Sequence, residues 1–161
     1  MKVNTYFIAT LLFLTSYAAH SNGESEEQLQ QRNQHFSQHY QSVCSENYKF
    51  INLTSSIDDH VQEELLINGV HNVNVKLGSE GHGYLQLAIP EWGTKLIVGH
   101  PVDTSVSILG AGMYVAKSKN IFCDELNMVS HFEIHEWGSY TLKVVAKKDS
   151  DLNISIIKIV D

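Results

Sequence analysis

Tyr84-Leu85-Gln86-Leu87-Ala88-Ile89 runs into Pro90-Glu91-Trp92-Gly93-Thr94, and Lys95-Leu96-Ile97-Val98 follows at once. Leu85, Leu87 and Ile89 alternate with smaller or more polar residues, the period of a strand with one buried face. Pro90 and Gly93 break that run, and a second apolar run restarts directly behind them. Forty-five residues later the same grammar returns as Ile134-His135-Glu136-Trp137-Gly138-Ser139. The two copies hold the only tryptophans of the chain, each between Glu and Gly. Each ends one strand and begins another, so the sequence contains two equivalent strand–turn–strand units, expected at the same end of one β domain. Gly supplies the backbone angles of a tight connection, and Trp92 and Trp137 can fold over the end of the core as closures. Exposed instead, they become a paired aromatic platform for a ligand such as a sugar.

Outward from these units the period-two pattern persists. Strands are expected at Tyr48–Leu53, Glu64–Ile67, Val73–Leu77, Ser105–Leu109, Met113–Ala116, Val129–Ile134, Tyr140–Val145 and Ile154–Val160. Asn68-Gly69, between Ile67 and the alternating Val73, Val75 and Leu77, is a strong short hairpin signal. Short strands separated by Gly, Asn, Asp or Pro predict an antiparallel β-sandwich of immunoglobulin-like or Greek-key type over 48–161. Strands this short and irregular do not match up for barrel closure. The closing unit, Gly138–Val145 followed by Asn153–Ile157, is similar in pattern to the last hairpin of secreted immunoglobulin-like and pre-peptidase-type sandwiches. That likeness covers a small part of the chain and includes no functional motif.

Upstream, residues 22–47 are polar and rich in Gln, His and Ser. Ser25-Glu26-Glu27-Gln28 matches a capping box, and Leu29, Phe36, Tyr40 and Val43 recur near helical spacing. One amphipathic helix over about 26–42 is expected, with a disordered leader as the competing reading on composition. Ahead of it, Lys2 and the uncharged run Tyr6–Leu14 precede small residues at Ser16, Ala18, Ala19 and Ser21. The apolar run is shorter than the roughly 20 residues of a bilayer span. It reads as a signal peptide over 1–21, implying export to a periplasm or the extracellular space.

About 140 residues then remain, enough for one domain with a real core. The chain carries a formal charge of −7, and nothing in it forms a basic cluster. Such a surface repels phosphate backbones and anionic headgroups, so nucleic acid and membrane surfaces are not expected as partners, and without a second apolar span no membrane insertion of the mature chain is expected. The partners left are a protein, a glycan or a small ligand. Cys44 and Cys123 are the only cysteines. In an oxidising compartment an even pair suggests one disulfide, with two buried thiols as the alternative.

Nine histidines raise the question of a transition metal. In His131-Phe132-Glu133-Ile134-His135 the two histidines and Glu133 share one strand face. His131 and His135 would nevertheless lie about 13 Å apart, too far to share one ion whose bonds are about 2 Å long. Glu133 with one of them, completed by His82 or His100 from loops, forms the candidate metal set. His100-Pro101-Val102-Asp103 lies near Ser105 and Ser107, but the Gly-x-Ser-x-Gly nucleophile turn is missing. His135-Glu136 is followed by Trp137-Gly138-Ser139, so the zinc-protease pattern is missing as well. Gly110-Ala111-Gly112 lacks a third glycine and a surrounding βαβ unit, which removes a dinucleotide site. The expected function is an exported, non-enzymatic binding or structural module with no cofactor. A metal-binding protein is the first alternative and a secreted hydrolase the second.

Overall fold

The computed structural model describes residues 24–44, 47–56 and 64–160. The expected signal peptide lies outside them. Ser25 caps the first helix, α1 (Glu26–His35), through the reciprocal box expected: its Oγ accepts from Gln28 N, and the Gln28 side chain accepts from Ser25 N. Helix α1 ends at Phe36, and a shorter α2 (Ser37–Ser42) follows, so the single helix expected is broken in two.

Ten strands follow among the described residues: β1 (Lys49–Asn52), β2 (Leu65–Leu66), β3 (Val70–Lys76), β4 (His82–Ile89), β5 (Thr94–His100), β6 (Ser105–Ile108), β7 (Gly112–Lys119), β8 (Met128–Ile134), β9 (Gly138–Val145) and β10 (Asp151–Lys158). Each overlaps a segment expected as a strand, by alternation in most and by a short apolar run at β2 and β5. They form a six-stranded sheet, ordered β1-β3-β10-β5-β8-β7, and a four-stranded sheet, ordered β2-β4-β9-β6, neither closed into a barrel. Pairing is antiparallel except at one edge of each sheet, where β1 joins β3 and β2 joins β4 in parallel. Both sheets are therefore mixed, a correction to the all-antiparallel expectation.

The chain changes sheet at almost every connection. Asn68-Gly69 does not make a hairpin: β2 lies in the four-stranded sheet and β3 in the six-stranded one. The closing hairpin fails in the same way, since β9 and β10 belong to different sheets. The physical reason is the core. Val73, Val75, Leu96, Val98, Phe132, Ile134, Ile154 and Ile156 of one sheet share an apolar cluster with Leu85, Leu87, Ile89, Val106, Ile108, Leu142 and Val144 of the other. At roughly 2 kcal/mol per buried aliphatic side chain, facing apolar sides toward each other outweighs the local preference for a tight hairpin.

The opposite face of the six-stranded sheet is apolar over its centre as well. Ile97, Val129 and Ile157 pack there against Tyr40, Val43, Cys123 and Leu126. This second cluster seats the helices on the sheet. Gly99 makes the seating possible, because a Cβ at that position would collide with Val43 Cγ1. A disulfide joins Cys44 to Cys123, with Cα atoms 5.5 Å apart, and ties the end of the helical segment to the β7–β8 connection. At the other end Asn33 donates to Lys119 O and accepts from Ile121 N, at 3.0 and 3.1 Å. No helix among the described residues is long and apolar enough to cross a membrane.

Candidate ligand site at the paired Glu-Trp-Gly turns

The β4–β5 connection crosses from the four-stranded sheet to the six-stranded one, and the β8–β9 connection crosses back. Thr94 pairs with Ile134 between β5 and β8, and Ile89 pairs with Gly138 between β4 and β9. Those pairings place the two crossings side by side at one end of the fold. A backbone hydrogen bond joins them, from Gly93 N to His135 O at 3.3 Å. Gly93 at φ 65° and Gly138 at φ 147° occupy backbone conformations that side-chain-bearing residues rarely adopt. Each turn is braced from within: Thr94 Oγ1 donates to Glu91 O at 2.9 Å, and Tyr140 Oη donates to Glu136 O at 3.1 Å.

Trp92 and Trp137 do not close the core. They are 67 % and 63 % exposed. Ile89 and Ile134, immediately before the turns, are 2 % and 0 % exposed and already fill the end of the apolar cluster. With that space occupied, both indoles remain outside. Polar groups flank them. Glu91 pairs with Lys158 at 2.5 Å. Beside Trp137, Ser139 Oγ donates to Glu64 Oε1 at 2.7 Å, and Thr141 Oγ1 donates to Gln86 Oε1 at 3.2 Å. These side chains continue from the Trp137 turn along the half-exposed outer positions of β4 and β9.

The candidate metal residues are dispersed. His131 lies on the helix-covered face of β8 and is fully buried. Its Nε2 is 2.8 Å from Tyr40 Oη and its Nδ1 is 3.3 Å from Tyr114 Oη. Phe36 closes the cluster, its ring 4.7 Å from the imidazole. Burial lowers the His131 pKa to about 4, with the positive charges of Arg32 and His39 adding to the effect. Burial raises the Tyr40 pKa, opposed by the Arg32 charge. Both groups are neutral at pH 7. His100 sits fully buried at the end of β5, its Nε2 3.1 Å from Ser130 Oγ and its Nδ1 2.9 Å from Pro101 O. Burial lowers its pKa, partly offset by the Pro101 carbonyl. Ser130 and His131, adjacent in β8, project to opposite faces, so the two buried imidazoles are separated by the sheet itself.

His82 starts β4 in the other sheet, against the Tyr84 ring at 5.6 Å. His135 is exposed in the second turn, while Glu133 is half-buried in β8. Among the described residues no three His, Cys, Asp or Glu side chains group as a metal ion would need. The structure therefore brings together the two tryptophan-bearing turns and not the histidines. It also adds partners that sequence spacing did not single out: Tyr40 and Tyr114 for His131, and Ser130 for His100. Their separations along the chain carry no local signal, except that Tyr40 belonged to the helical apolar stripe.

A groove of about 750 Å³ runs between α1 and β7, lined by Arg32, His35, Phe36, Tyr114 and Lys117 among others. It is formed by the same Phe36 and Tyr114 rings that enclose His131. No protein-family model matches the chain, and comparison with curated proteins found no relative.

Proposed function

We propose that the protein is an exported, non-enzymatic binding module, a two-sheet sandwich of Greek-key type that recognises carbohydrate at its paired Glu-Trp-Gly turns. The observation that carries this reading is the exposure of both tryptophans on connections hydrogen-bonded to each other. An indole presents a flat face with negative electrostatic potential, against which the C–H-rich face of a pyranose stacks. Carboxylate, amide and hydroxyl groups at Glu64, Gln86, Ser139 and Thr141 supply the acceptors and donors that orient sugar hydroxyls. The shared apolar cluster and the non-consecutive pairings β4·β9 and β5·β8 support the sandwich. The disulfide supports export, because such bonds persist in oxidising compartments.

The test is a glycan array probed with the mature protein, followed by fluorescence titration. Trp92 and Trp137 are the only tryptophans, so emission reports on this end of the molecule alone. A bound glycan should shift the emission, and the Trp92→Ala/Trp137→Ala double variant should lose the array signal. Array silence, or binding that survives the double variant, would refute the proposal.

A further inference from the structure

The geometry points to one composite site: the two Glu-Trp-Gly turns act as two subsites for a single neutral oligosaccharide long enough to lie across both. This rests on the carbohydrate reading and goes further, by fixing the minimum ligand and its charge class.

The first support is local symmetry. The two crossings run in opposite directions between the same two sheets, as a half-turn requires. Such a rotation carries Ile89 to Ile134 and Gly138 to Gly93, so the Ile89–Gly138 pair would map onto Ile134–Gly93. The observed pair is Ile134–Thr94, one residue away. Trp92 and Trp137 consequently occupy equivalent positions on neighbouring supports. Gly93 and His135, hydrogen-bonded to each other, stand one residue after Trp92 and two before Trp137, which brings the two indole attachment points within the span of one oligosaccharide. Gly93 N donating to His135 O holds the two turns in register.

The second support is charge. Each indole follows a carboxylate, Glu91 or Glu136, and Glu64 lies beside the Trp137 turn through Ser139. Lys158 offsets Glu91. Glu136 and Glu64 are left to set the sign of this end, in a chain of net charge −7. Uronic-acid or sulfated polymers would meet like charge, whereas a neutral chain offers hydroxyls that carboxylates accept from. The row formed by Ser139, Gln86 and Thr141 then extends the polar contact away from Trp137.

A rigid two-subsite surface has a readable consequence. Once the first ring is stacked, the second binds at high effective concentration, so affinity climbs steeply when the ligand first spans both sites. The probes are glucose and N-acetylglucosamine homo-oligomers from monomer to hexamer, with polygalacturonate as the acidic counterpart. They are titrated by fluorescence against the wild type and by calorimetry against Trp92→Ala, Trp137→Ala and the double variant. The expected result is a rise on the order of 100-fold between monomer and spanning oligomer. That rise should disappear in either single variant, and all binding should disappear in the double. Affinity independent of length, or loss in only one single variant, would overturn the shared site while leaving the carbohydrate reading standing. Preference for polygalacturonate would overturn the neutral class, again without touching that reading. Failure of every probe on a glycan-positive protein would overturn the inference, and silence of the whole array would remove the parent reading with it. Thermal melting of the variants separates lost binding from lost folding.

Discussion

Acidification should destabilise this fold through one residue above all, His131. Its imidazole is fully buried between Tyr40, Tyr114 and Phe36, with its pKa lowered to about 4 from the ordinary 6.5. Between those values the unfolded chain binds a proton at this site that the folded chain does not. Stability from the neutral imidazole is thus fully present above pH 6.5 and is lost as pH falls toward 4. The interval corresponds to about 3 kcal/mol, a large share of the roughly 10 kcal/mol typical of a domain this size. The measurement is urea unfolding at a series of pH values, on the wild type and on His131→Gln. Glutamine keeps a donor and an acceptor for the two tyrosine hydroxyls but cannot titrate. The variant should be less stable at neutral pH and should lose much less on acidification. His100, whose pKa burial also lowers, is present in both proteins and cancels in the comparison. Equal pH slopes for the two proteins would refute the reasoning. So would an imidazole resonance of His131 titrating near pH 6.5.

Gly99→Ala should cost about 1–3 kcal/mol, because its Cβ collides with Val43 Cγ1 and pushes the helical segment off the sheet. Adding Val43→Ala should recover part of the loss in thermal melting, and an additive double variant would argue against the contact. Replacing Cys44 and Cys123 together by serine removes a crosslink between residues 79 apart in sequence and should cost about 4 kcal/mol in the chain-entropy model. Denaturant midpoints unchanged by that replacement would mean that the helical segment holds its place without the bond.

The strands were legible because alternation is a property of each segment by itself. Leu85, Leu87 and Ile89 mark one face of β4 whatever lies beside it, and the same holds for Val73 and Val75 in β3. Pairing was not legible at Asn68-Gly69, because a hairpin signal records local turn chemistry and not which sheet the next strand must join. Ile67, fully buried, and Val73, 1 % exposed, meet in the same core from opposite sheets, and that requirement overrides the turn. The histidine strand shows the same division. Alternation put His131 and Glu133 on one face of β8, but only the docking of Phe36 and Tyr40 from the helices decided that His131 is sealed and Glu133 half-exposed.

The paired Glu-Trp-Gly motif, its two turns and the demand for glycine at Gly93 and Gly138 were fixed by sequence alone, since they follow from residue types at short range. The fate of the tryptophans was decided by tertiary structure. Ile89 and Ile134 reach the end of the core first and leave no volume for an indole, so rings able to act as closures stand outside. The adjacency of the two turns likewise depends on β5 pairing with β8 and β4 with β9, contacts between segments far apart in sequence. Short-range chemistry specified the pieces, and competition for one shared apolar interior specified where they face.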